Sequence, residues 1–424
     1  MNKLNCIFYT LLVMILSACS NNVYETTTYK INEPVFMPTG IFRKSVKVNQ
    51  ESRNIEKQGK IAFYKNYMYL SEPEKGIHII DNRNPSSPRQ VGFIELIGNV
   101  DMAIKDNILY ADSYIDLVWF DVSNPSSPLL SGRKEDVFPT ALPIADNNFW
   151  YDYEKSMDKS KGVVIGWTVK ERKDSYPAPY FYRIDWFSGG GVMMDAAGSS
   201  KGTGGNVGLT GSMSRFAIYG NYLYTVLQDQ LGVFNIEKSE PAKMGDNVYV
   251  GFNVETIFSY KENLFMGTPT GMLIYSANDP LNPVYESSLQ HVYGCDPVVV
   301  ENDVAYVTVH SGNNCGQNNN QLIVIDVKDV KNPKAIVTYE MTKPKGLGID
   351  NNTLFVCDEG LKVYDATNPK GIMVNQLAHF KAMEGFDVIA FDNVLMMIAE
   401  DGIYQYDYSD LKNIKPLSKI AFFN

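Results

Sequence analysis

Seven charged residues recur at one place in a repeated pattern: Lys60, Asp101, Arg215, Glu255, Asp296, Lys345 and Asp387. Each opens a short apolar run. Carboxylates and cations gathered this way can hold a small polar ligand or an ion. Two carboxylates across a cleft can also cleave a glycosidic bond. The plainer reading is a set of mutually paired, solvated charges around a water-filled channel.

A second set joins Cys295 and Cys315, which flank an apolar hairpin and a Gly- and Asn-rich loop at 311–321. In an exported chain a disulfide pinning that loop is the leading reading. It would contribute about 3 kcal/mol for a loop of this length. The same cysteines with His291 and His310 have ligand types that suit zinc. Their spacing is not a tight pair of ligand knuckles, so no cofactor is expected, with zinc or calcium as the alternative. Cys357 is left over inside an apolar strand and reads as a buried free thiol.

The third set is aromatic. Trp150, Tyr151, Tyr153, Trp167, Tyr176, Tyr180, Tyr182 and Trp186 crowd one stretch, ahead of a glycine-rich run at 188–211. Trp150, Trp167, Tyr176, Tyr180 and Trp186 are the candidate binding residues. On loops they could stack on sugars or grip a partner protein. The bland alternative is that they fill an irregular structural unit. The glycine run lacks the Lys-Ser/Thr ending and following helix of a phosphate loop. No Gly-x-Ser-x-Gly or His-Glu-x-x-His motif is present, and the chain holds 4 His in all.

The elements that must position these residues are short strands. The run Leu117 to Pro128, LVWFDVSNPSSP, has siblings near 76–88, 272–283, 322–333 and 361–369. A period near forty in an all-strand pattern predicts a β-propeller. Each unit reads as four strands. The second unit gives 100–104, 108–113, 117–122 and 129–134. A large side chain repeats in the second strand (Tyr69, Tyr110, Tyr224, Phe265, Tyr306, Phe355, Met397). A polar residue ends the third (Asp81, Asp121, Asn235, Ser276, Asp326, Asp365, Asp407). These polar residues suit turn capping and not a repeated metal site. Both markers give seven units.

An eighth unit is expected at 138–187, because Ile144 to Trp150 matches Ile104 to Tyr110 at an offset of forty. There 163–169 would be the third strand and 180–186 the fourth. The reading is therefore an all-β protein, a single propeller of about eight four-stranded blades over 59–424. The alternative is seven blades with an insertion at 138–213. The first and last units each hold four strands, so no strand exchange closes the ring.

Leu322 to Asp326, with its siblings, resembles the LVIVD repeat of bacterial cell-surface proteins. Tyr306 to Thr308 is similar to the related YVTN surface propellers. The resemblance covers roughly 59–137 and 214–424. It implies a β-propeller at the cell surface and little chemistry.

Residues 1–18 read as a signal peptide: Lys3, an apolar run at 7–16, then Leu16-Ser17-Ala18-Cys19. This resembles the bacterial lipoprotein signal, which implies lipidation of Cys19 and anchoring to the membrane without spanning it. Residues 19–58 form a tether and an N-terminal segment whose stretch 34–48 could supply an extra strand or strap. The implied location is the cell envelope, on the outer membrane facing the surface or periplasm. The formal charge of −10 disfavours nucleic acid. The expected role is a non-catalytic binding or assembly module for protein or glycan. The alternative is a hydrolase or lyase using channel carboxylates such as Asp101, Asp296 and Asp387.

Overall fold

The structure, a computed structural model, describes residues 24–49, 51–177, 207, 209–210, 212, 214–251, 254–290, 297–310 and 319–423. Seven antiparallel sheets form a ring. Blade 1 runs Ile61–Tyr64, Tyr67–Glu72, Gly76–Asp81 and Arg89–Glu95, from axis to rim. Blades 2 to 7 follow at 102–134, 216–249, 256–290, 298–340, 347–380 and 385–421.

Local chemistry explains each blade. In five of the seven blades the first hairpin turns in with both central residues at positive φ, as at Asp106 and Asn107 or Asn351 and Asn352. That is the turn whose twist matches paired strands, and Asn and Asp tolerate it best. The repeated second-strand side chains, Tyr69 to Met397, are all buried between blades. The residue ending each third strand folds back on its own turn. Asp121 accepts from the Ser123 amide at 2.7 Å, Asp326 from Lys328 at 3.0 Å and Asp365 from Thr367 at 2.8 Å. Asp81, Asn235, Ser276 and Asp407 do the same. These residues are turn caps.

The expected eighth blade is not formed, and the seven-blade alternative holds. Residues 144–150 lack the positive-φ hairpin of Ile104 to Tyr110. Asp146 instead caps Asn148, and Asn32 takes the carbonyls of Asp146 and Phe149 with its amide at 2.8 and 2.6 Å. Val163–Pro177 is no third strand of a blade. It pairs with Tyr24–Met37 in a separate two-stranded ribbon. The proposed fourth strand at 180–186 lies outside the described residues.

The N-terminal segment therefore has a place. Tyr24–Met37 is one arm of the ribbon, so much of the expected tether is strand. Lys47–Asn49 adds a strand to the rim of blade 1. Between them Thr39–Arg43 forms a short helix. Phe42 from it packs on Tyr114 and Val163, while Arg43 reaches the buried Asp116 of blade 2 at 2.9 Å.

The ring closes without strand exchange, since blades 1 and 7 are each built from one continuous segment. Ile61, Phe63, Met68 and Leu70 meet Ile389, Met396, Ile398 and Phe422 across that seam. The Gln405 amide donates to Asn82 at 2.7 Å there.

Candidate functional site

Two places collect the residues singled out by sequence. The first is the axis. Each of the six described charged residues precedes or lies near the start of an innermost strand, so the ring fold brings them to one mouth. Asp101 sits between three blades. It accepts from the Ser214 hydroxyl at 3.0 Å, the Arg215 amide at 2.5 Å and its neighbour Met102 at 2.8 Å. The Lys60 ammonium stands 3.5 Å away. The Arg215 guanidinium approaches Asp112 at 3.7 Å, and burial raises Asp112 to about 6 against that attraction. Lys345 pairs with Glu384 at 2.6 Å and lies over the Phe386 ring at 3.8 Å. Asp387 is fully buried, with neither carboxylate oxygen hydrogen-bonded among the described residues. Burial raises it to about 8, although Lys60 pulls the other way. Burial likewise pushes Lys60 down, opposed by Asp101. The Glu255 backbone amide donates to the Gly267 carbonyl at 2.9 Å. Asp296 lies outside the described residues.

Lys60, Asp101, Lys345 and Asp387 are buried, while Arg215 and Glu255 stay partly exposed. Lys60 is 6% exposed and Asp101 1%. A short strand, Leu209–Thr210, explains this. It pairs with Phe63 and Ala62 on the axial side of blade 1. Val207 bridges to Lys105 of blade 2, and the Ser212 hydroxyl accepts from Leu347 of blade 6 at 3.4 Å. The end of the insertion thus lies in the channel.

The second place is the junction of ribbon and insertion. Trp150 stacks on Tyr29 with centroids 5.7 Å apart and planes at 25°. Trp150 remains 45% exposed and Tyr153 50%. Trp167 turns inward, donating to the Pro143 carbonyl at 2.9 Å and packing on Tyr151 at 4.7 Å. Thus Trp150 and Trp167 belong to one cluster with different roles. Tyr176 falls in the ribbon strand opposite Glu25. Tyr180 and Trp186 lie outside the described residues, as do Cys19, His291, Cys295 and Cys315. His310 is buried at the end of a blade 5 strand, and Cys357 is a buried free thiol. Among the described residues no group of three or more His, Cys, Asp or Glu could hold a metal.

One polar network escaped the sequence reading. His78 in blade 1 bonds the buried Glu72 at 2.8 Å and also contacts Gln90. Burial drives Glu72 up, but His78 and Lys75 more than offset it and hold it below the usual carboxylate range. The available signal was a His inside the apolar strand Gly76–Asp81 with a Glu six residues before it.

Comparison with known families finds the LVIVD repeat in residues 57–94, 99–136 and 210–250. The third match begins inside the axial strand and continues through blade 3. No curated protein matches the chain. Among solved structures it is similar to the computationally designed Ika8 protein, at 10% identity and TM-score 0.48, covering 88% of this chain and 91% of that one. Hsv2 of Kluyveromyces lactis gives 9% identity and TM-score 0.48 over 86% and 100%. PorZ, a surface component of the type-IX secretion system of Porphyromonas gingivalis, gives 10% and 0.45 over 89% of this chain and 39% of that one. No helix among the described residues is long and apolar enough to cross a membrane.

Proposed function

We propose that this β-propeller, which carries LVIVD repeats at 57–94, 99–136 and 210–250, is a non-catalytic binding or assembly module of the cell envelope. It engages protein or glycan through the aromatic surface at the ribbon and is anchored by lipid on Cys19. The observation that carries the reading is the exposed Trp150, stacked on Tyr29 and flanked by the exposed Tyr153. Its backbone is fixed by the Asn32 amide, which donates to the Trp150 carbonyl at 2.9 Å. A preformed, half-exposed aromatic surface loses little entropy on binding. The chain runs from this ribbon back toward the anchor cysteine, which would tie the binding surface to the membrane side of the molecule.

The channel carboxylates fit catalysis less well. Asp101 spends its oxygens on three donors and a lysine, so it is poorly placed to exchange protons with a substrate.

The test is a glycan array combined with in-cell crosslinking, comparing wild type with the double variant Trp150→Ala and Tyr153→Ala. Selective binding that falls at least about tenfold in the variant supports the reading. Binding unchanged in the variant removes this surface from it. Fatty-acid labelling lost in Cys19→Ala checks the anchor.

A further inference from the structure

We propose that the end of the insertion, through Val207, Leu209, Thr210, Ser212 and Ser214, is an internal clasp that closes the propeller ring from its axis. This inference does not depend on the function proposed above. A propeller whose first and last blades share no strand is held at its seam by side-chain packing and a few hydrogen bonds, here Gln405 to Asn82, Ser418 to the Pro85 carbonyl and the Phe423 amide to the Ile55 carbonyl. Here that seam joins blades 1 and 7 through Phe63, Ile389 and their neighbours. Any further contact across this seam resists fraying of the ring's first and last blades.

The axial segment is placed to do this. Leu209 and Thr210 add backbone pairs to the inner edge of blade 1, opposite Phe63 and Ala62. Leu209 also packs into the apolar cluster that contains Ile389, Met396 and Ile398 of blade 7. Val207 reaches blade 2, Ser212 reaches blade 6, and Ser214 binds Asp101 before the chain enters blade 3. One short segment thereby touches blades 1, 2, 3 and 6 and shares an apolar cluster with blade 7. It is the far end of the same insertion whose other arm pairs with the N-terminal strand.

The clasp also decides the fate of the axial charges. With the strand in place, Lys60, Asp101 and Asp387 are buried as a seam and are not an open ligand site. Recognition is then confined to the outside of the ring.

The experiment reads amide exchange and amine acetylation together in the full chain. In wild type, Lys60 and Lys345 should acetylate at least about tenfold more slowly than Lys261, because buried amines are shielded. Leu209→Pro disrupts the short paired strand and should raise exchange in 61–70 and 394–399 by at least about tenfold, while 298–301 stays protected. It should also open Lys60 to acetylation. Equal loosening of all blades, or no change at the seam, overturns the clasp.

Should Leu209→Pro fail to fold, the register partners provide a second arm. Ala62→Cys with Thr210→Cys, its bond mapped by mass spectrometry, should slow seam exchange when oxidised relative to reduced. Equal seam exchange in the two redox states overturns the proposal.

Discussion

The innermost strands carry charged and polar groups at both ends, and the two ends behave oppositely. At one end are the hairpin turns. Lys65 reaches Asn107 of the next blade at 2.8 Å, Lys105 reaches Asn221 at 2.9 Å and Lys261 reaches Asp303. Asn302 pairs with Asn352 at 2.9 Å in the same manner. These contacts girdle the ring, largely in water. At the other end stand Lys60, Asp101, Lys345 and Asp387, buried near the axis. Lys60 and Asp101 have side-chain exposures of 7% and 1%, against 52% and 34% for Lys261 and Asp303. The repeat writes similar charges at both ends. What differs is whether water or protein covers them, and that changes their energetic weight severalfold.

The largest effect should come from Asp101→Ala, which strands a buried ammonium and several donors. A loss of about 3–5 kcal/mol is expected from the denaturant midpoint at constant slope. A loss below about 1 kcal/mol would mean that the axial end is solvated after all. Asp387→Asn comes next and should have the opposite sign. The folded carboxyl is raised to about 8 from an ordinary 3.8. The folded state therefore binds a proton that the unfolded state has released, and stability falls as pH rises from about 4 to about 8. Removing the charge should flatten that slope and stabilise the protein at pH 8 by more than about 1 kcal/mol. An unchanged slope in urea titrations across this range would reassign the group.

Smaller effects belong to the turns. Asp121→Ala removes one cap from an exposed turn and should cost about 1 kcal/mol, read as a modest fall in melting temperature. Lys261→Ala should cost at most about 0.5 kcal/mol, vanishing in high salt. If Lys261→Ala costs as much as Asp101→Ala, the contrast between the two ends is lost.

Much of the ring was legible because it is locally encoded. Tyr110 lies in a short apolar run, Asp106 and Asn107 demand a positive-φ turn, and Asp121 caps its own chain two residues on. Each signal acts within a few residues, so the repeat displays it. The false eighth blade shows the limit. Ile144 to Trp150 copies the letters of Ile104 to Tyr110, yet Asn32, over a hundred residues earlier, takes its carbonyls. The ribbon likewise pairs Phe36 with Val164, a contact no local pattern announces. At the candidate site, sequence grouped Trp150 with Trp167 but could not tell that one faces outward and the other bonds Pro143.

The sequence by itself determined the strands, the turns, the caps and a ring of repeated units, since periodicity and short-range hydrogen bonding suffice for these. Only the tertiary structure decided that there are seven blades, that the insertion joins the N-terminal strand, and that its end lies in the channel. Those outcomes depend on contacts between distant segments. Whether a charge such as Asp387 meets water or a buried strand is fixed by what the rest of the chain places over it.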